Sequence, residues 1–174
     1  AVAVQPATGS GIKGLEGFSI GLDDEAVEAT TTEVDAKATT DARGQASLTV
    51  PVQELAAPRP LEAKITLSVG EPGGRVLSRS VTLPILPSNP VLAIRKNFGG
   101  DLSDGATATF DLVMATPDGR RLSQDGVVWT LSKVERTYQW YREDGRWSFE
   151  PVKSSRRVAD GRVAISSDAP ARIA

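Results

Sequence analysis

What most limits the fold of this chain is hydrophobic alternation with a period of two, repeated between glycine- and proline-rich breaks, with no stretch sustaining an apolar i, i+3, i+4, i+7 pattern. In Leu61, Ala63, Ile65, Leu67 and Val69 the apolar residues are separated by Glu62, Lys64, Thr66 and Ser68. Successive strand side chains point to opposite faces, so this segment has one face to bury and one to wet. Val76 to Leu83 follows the breaker Glu71-Pro72-Gly73-Gly74 and completes a hairpin with it. Ala46, Leu48 and Val50 alternate after the turn Asp41-Ala42-Arg43-Gly44, and Phe18, Ile20 and Leu22 mark a further strand. Val91 to Lys96 and Ala106 to Met114 are predicted strands, the second with Ala106, Ala108, Phe110, Leu112 and Met114 on one face. Turn signals at Ser103-Asp104-Gly105, Pro117-Asp118-Gly119, Asp125-Gly126, Asp144-Gly145 and Asp160-Gly161 space the remainder as in a sandwich or barrel.

The pattern predicts an all-β protein built from two antiparallel immunoglobulin-like β-sandwich domains in tandem, a division that 174 residues can accommodate. The boundary is Leu83-Pro84-Ile85-Leu86-Pro87-Ser88-Asn89-Pro90, whose three prolines lack backbone donors and cannot sit in a central strand. The expected domains are 1–86 and 87–174, joined by a short, semi-rigid connection packed between them.

Several function classes are excluded by composition. With 40% hydrophobic and 24% charged residues, the chain belongs to the folded globular class. No apolar run reaches the roughly 18 to 20 residues of a bilayer span, and Ala1 to Val4 does not form a signal peptide, so no direct membrane insertion is expected. A net charge of −2, with both signs interspersed, leaves no footprint for nucleic acid. There is neither cysteine nor histidine, which removes disulfides, thiolate nucleophiles, most zinc chemistry and the usual neutral-pH proton shuttle.

The motifs that could carry chemistry do not survive inspection. Gly9-Ser10-Gly11-Ile12-Lys13-Gly14 matches the dinucleotide fingerprint by letter, but Leu15-Glu16-Gly17-Phe18 follows where a helix must begin, so a flexible loop is expected. Ser10 and Lys13 match the spacing of penicillin-recognising serine enzymes without the companion motifs. Asp23-Asp24-Glu25 and Asp101-Leu102-Ser103-Asp104 offer oxygens to Ca²⁺ but no EF-hand spacing, and read as solvated acidic turns. Arg120-Arg121 and Arg156-Arg157 read as exposed edge charges. No catalytic residue, cofactor site or metal site is assigned.

The most distinctive local feature is aromatic. Of nine aromatic residues (three Trp, two Tyr, four Phe), six fall between Trp129 and Phe149. A two-residue type I′ turn at Asp144-Gly145 would pair Glu143 with Arg146, Arg142 with Trp147 and Trp140 with Phe149. Tyr138, Trp140, Arg142, Trp147 and Phe149 then share one face, while Gln139, Tyr141, Glu143, Arg146, Ser148 and Glu150 form a solvated one. The strip is either a partner-contact platform or part of a core packed on Trp129 and a facing sheet. The core reading is favoured, because aromatics supply much of a small sandwich's interior.

The residues also carry a family resemblance. The block Val127-Val128-Trp129-Thr130-Leu131-Ser132-Lys133-Val134-Glu135-Arg136-Thr137-Tyr138-Gln139-Trp140-Tyr141, followed by Gly145-Arg146-Trp147-Ser148-Phe149-Glu150-Pro151-Val152 and Arg157-Val158-Ala159-Asp160-Gly161, resembles the bacterial α2-macroglobulin-like proteins. Arg59-Pro60-Leu61-Glu62-Ala63, Glu71-Pro72-Gly73-Gly74-Arg75 and Gly17-Phe18-Ser19-Ile20-Gly21-Leu22 resemble the preceding macroglobulin-like domain.

The resemblance implies two consecutive macroglobulin-like domains of a periplasmic or cell-envelope endopeptidase inhibitor, from a family of large periplasmic or inner-membrane-anchored chains. Such chains string β-sandwich domains together with a protease-cleavable bait, and many carry a thioester from a Cys-x-Glu-Gln motif. This chain has no cysteine and no obvious bait, so the resemblance assigns it a non-catalytic scaffold role. Its expected partners are other domains of the same parent chain and, through the parent, target proteases. The family pattern runs beyond both termini, so the first domain is expected to lack N-terminal strands and the second C-terminal ones. The alternatives are a cell-surface adhesin or glycan-binding module using the aromatic hairpin, and an accessory domain of a glycoside hydrolase.

Overall fold

The computed structural model describes residues 1–22, 25–50, 52, 57–70, 73–103, 105–143 and 145–174. Among the described residues, eleven strands, all paired antiparallel, form three sheets. The first contains β1 (Val2–Pro6), β3 (Thr30–Thr32), β4 (Leu61–Gly70) and β5 (Val76–Ile85), in the order β3-β1-β4-β5. The expected hairpin is β4–β5, with Ile65 opposite Val81 and Val69 opposite Leu77. Pro84 is accommodated opposite Glu62 because β5 is an edge strand, where a missing N–H breaks no second ladder.

The second sheet contains β2 (Ser19–Ile20), β6 (Val91–Lys96), β7 (Phe110–Ala115) and β11 (Ala171–Ile173), in the order β11-β7-β6-β2, with β8 (Arg121–Leu122) also paired to β7. The third is a two-stranded ribbon of β9 (Gln124–Glu143) and β10 (Arg146–Ile165). No helix occurs among the described residues, and so none long and apolar enough to cross a membrane.

Among the described residues, two apolar clusters pack against the sheets. Val2, Val4, Leu61 and Ala63 are buried in one, partly covered by Val27, Val34, Val50 and Ala57 from the chain between β2 and β4. Residues 45–50, expected as a strand from Ala46, Leu48 and Val50, lie there in irregular conformation and contribute Val50 by packing alone.

The other cluster joins Ile12, Leu15 and Phe18 to Ala93, Val113 and Ala115. The segment expected to be a flexible loop is therefore a core plug. Leu15 donates to the Ile12 carbonyl (3.2 Å) and Phe18 to the Leu15 carbonyl (3.1 Å), so consecutive tight turns bring every third side chain inward. Gly14 and Gly17, at φ +79° and +76°, supply the left-handed residues these turns require. Ser10 Oγ accepts from the Ile12 amide at 3.2 Å, a local turn contact with no helix behind it.

The plug changes how the two halves relate. The chain leaves the first sheet after β1, inserts residues 12–20 against β6 and β7, pairs Ile20 with Ala93 through β2, and returns to the first sheet as β3. β7 is also buried more fully than its alternation implied. The expected face of Phe110, Leu112 and Met114 is only partly the core one, because Val113 and Ala115 on the other face carry the cluster with the plug. Residues 106–109, expected in that strand, precede it as irregular chain.

Candidate functional site

The ribbon is built by local rules. Its register pairs Glu143 with Arg146, Arg142 with Trp147, Trp140 with Phe149 and Tyr138 with Pro151. Gly145 turns at φ +77°, while Asp144 lies outside the described residues. Residue 158 forms a bulge opposite Ser132 and Leu131, and a second irregularity at Gly126 lies near Ile165, the ribbon's buried base. At about 3.3 Å per residue, strands of 20 residues make a ribbon roughly 65 Å long.

The structure places Tyr138, Trp140, Arg142, Trp147 and Phe149 on one face, as the alternation requires, but that face is exposed. Tyr138, Trp140, Trp147 and Phe149 retain 59, 66, 69 and 55% of their accessible surface. The expected packing on Trp129 does not occur, for a reason of parity. Trp129 is an odd number of residues from both Tyr138 and Trp140, and β9 has no bulge between them, so its ring lies on the other face. There it covers Gly161, its register partner.

Three of these rings contact one another along their own face. Phe149 meets Tyr138 edge-on at 5.7 Å and 75°, and Trp140 at 5.4 Å and 50°. The surface is a ridge of interlocked rings and not a flat platform. On the other face Lys133 bridges Glu135 at 2.9 Å, and that hydrogen bond holds the Glu135 carboxyl below the usual carboxylate range.

A second feature lies where the halves meet. A cavity of about 340 Å³ is lined by Ser10, Ile20, Gly21, Pro58, Leu61, Ile85 and Leu86, among others. Next to its lining residues the chain makes two tight contacts: Leu22 donates to the Pro58 carbonyl at 2.8 Å, and Gly11 leaves room for the Pro84 ring.

Arginines clamp the plug beside it. Arg121 donates to the Gly14 carbonyl at 3.0 Å, and the guanidinium groups of Arg95 and Arg121 stand 4.5 and 5.5 Å from the Phe18 ring centre. Arg121 is thus a packing residue and not the exposed edge charge expected from the doublet. Arg95 also meets Asp111 at 3.0 Å, and Arg172 meets it from β11 at 3.2 Å. These arginines shield Asp111 at the sheet surface. The Arg95 hydrogen bond, then that of Asn97, holds its carboxyl below the usual range.

No group of three or more potential ligands able to hold a metal occurs among the described residues. Of the two acidic turns, Asp23, Asp24 and Asp104 lie outside them. The plug and its arginine clamps were missed by sequence reasoning. The available signal was the glycine at every third position, which fits neither strand nor helix periodicity.

Comparison with known proteins fits this architecture. A family model for the bacterial alpha-2-macroglobulin MG5 domain matches residues 1–87, and one for bacterial macroglobulin domain 6 matches residues 93–174. The alpha-2-macroglobulins of Xylella fastidiosa strains Temecula1 and 9a5c are 31% and 30% identical over 112 residues, which is 62% of this chain and 7% of each relative. The native E. coli alpha-2-macroglobulin superposes on 99% of the chain with a TM-score of 0.73 and 21% identity, the match spanning 12% of that protein. Salmonella alpha-2-macroglobulin reacted with methylamine gives 0.73 at 22% identity over the same shares. With two successive domain models filling the chain and an all-β, immunoglobulin-like architecture of macroglobulin type, this chain belongs to the bacterial alpha-2-macroglobulin family.

Proposed function

We propose that the chain is a non-catalytic scaffold within a bacterial protease trap, holding more distant reactive segments of its parent in place and relaying their rearrangement after cleavage. The observation that carries this reading is the succession of the MG5 match over residues 1–87 and the macroglobulin domain 6 match over residues 93–174. The family supplies the coarser role, that of an endopeptidase inhibitor. A related E. coli protein is described as activated by porcine elastase, which fits a trap that responds to a protease. The absence of cysteine places any thioester outside these residues.

The proposed partners are the parent's other domains and, through the parent, proteases; the proposed location is the periplasm or cell envelope. The test is to treat the intact parent with an endopeptidase and follow its shape by small-angle scattering and the protease by co-migration. A change of shape with retained protease is expected, and neither should occur with the 174-residue chain alone. A parent that neither changes shape nor retains protease ends the proposal. Fractionation of the producing cell tests the location.

The glycan-binding alternative gains from the exposed rings but loses on their geometry. Sugar stacking uses flat, coplanar aromatic surfaces, and these rings are inclined at 50° and 75°.

A further inference from the structure

We infer that the aromatic face of the ribbon is a docking surface for an acidic-rimmed apolar patch on another domain of the same parent polypeptide. The inference rests on the family's multidomain chain and not on whether the parent traps proteases.

Charge separates the ribbon's two faces. In the pairs from Val134–Ser155 to Arg142–Trp147, one face presents Arg136, Arg142 and Lys153 beside the rings, with no Asp or Glu at any of its positions. Glu135 and Glu150 stand at the alternate positions. A surface that is aromatic and wholly cationic suits a partner with apolar contact area and carboxylates at its edge. It does not suit a second copy of itself, which would bring like charges together.

Area and stability also point to a tethered partner. Four aromatic side chains with more than half their surface open offer on the order of 500 Å², against the roughly 800 Å² per partner of a stable interface between free proteins. A domain on the same polypeptide does not pay again for lost translational freedom, so a smaller patch suffices. The chain matches only 12% of the length of its E. coli relative, so a chain of that kind has ample further domains to supply the cover. A two-stranded ribbon is marginal in water by itself, which gives the cover a structural purpose.

The test uses hydroxyl-radical footprinting of the full-length parent, read by mass spectrometry at Trp140 and Trp147, with buried Phe18 as the control for folding. Native oxidation of both tryptophans should be at least about tenfold slower than in denaturant, as for a surface open less than a tenth of the time. The double variant Arg136→Glu, Arg142→Glu should return both rings to near the denatured rate while Phe18 stays protected. If that variant also exposes Phe18, the single Arg142→Glu variant replaces it, with the same expected result. The inference is overturned if the rings are already reactive in the native parent, or if charge reversal leaves them protected. Protection that rises with protein concentration, or that requires anionic lipid vesicles, also overturns it, by naming a second copy or a membrane instead. A parent that traps no protease yet protects both rings sinks the proposed function and leaves the docking intact.

Discussion

Trp129 lies across the ribbon on Gly161, its indole atoms 2.9 to 3.0 Å from where a β-carbon at residue 161 would stand. Gly161 is not held at positive φ, so it serves by leaving space for the ring and not by unusual backbone. The missing side chain lets an aromatic cover its neighbour's backbone near the ribbon's base. Gly161→Ala should therefore displace the indole and destabilise the protein by about 1–3 kcal/mol. Urea denaturation followed by tryptophan fluorescence measures this, and an unchanged midpoint would mean that the ring moves at no cost.

Leu15 is fully buried between the plug turns and β7. Leu15→Ala should cost about 2–5 kcal/mol, the range for emptying a packed core site. A polypeptide of residues 87–174 alone lacks Ile12, Leu15, Phe18 and β2, and should show no cooperative unfolding transition. Adding residues 1–86 in the same chain should restore it. Cooperative unfolding of 87–174 by itself would show that the plug is dispensable.

Asp111 predicts the acid response. Its carboxyl is held below the ordinary range by Arg95 and Asn97, with Arg172 adding to the effect. A carboxyl with a lowered folded-state pKa binds fewer protons folded than unfolded. Its stabilisation is complete above the unfolded value of about 4 and is lost as pH falls through the folded value. Urea midpoints measured downward from neutral pH should fall below about pH 4, and more gently in Asp111→Asn, which lacks this group. Parallel acid limbs in the two proteins would rule Asp111 out as a contributor.

Two glycines of similar φ separate backbone strain from steric closeness. Gly44, at φ +75°, has open space around it, so Gly44→Ala should cost about 1–2 kcal/mol from its left-handed conformation. Gly21, at φ +72°, also faces the Pro58 carbonyl, which a β-carbon would strike. Gly21→Ala should be the more destabilising of the pair and should loosen the contact between the halves. Equal melting temperatures for the two variants would remove the close approach as a factor.

Much of the ribbon was legible before its structure. A glycine turn at Gly145 and alternating side chains place Trp140 opposite Phe149 and Arg142 opposite Trp147, because both are consequences of strand geometry over a few residues. The β4–β5 hairpin was legible for the same reason. Trp129 was put on the wrong face by treating aromatic clustering as proximity, when parity along a regular strand decides sides.

The sequence by itself determined that the chain is all-β, where its hairpins turn, and which side chains share a face. Each of these follows from a backbone whose side-chain period is two and whose sharp turns need glycine. Only the tertiary structure decided that Ile12, Leu15 and Phe18 enter the core of β6 and β7, and that Tyr138, Trp140, Trp147 and Phe149 remain uncovered. Burial depends on which distant segment lies opposite a face, and no periodicity within a strand specifies its cover.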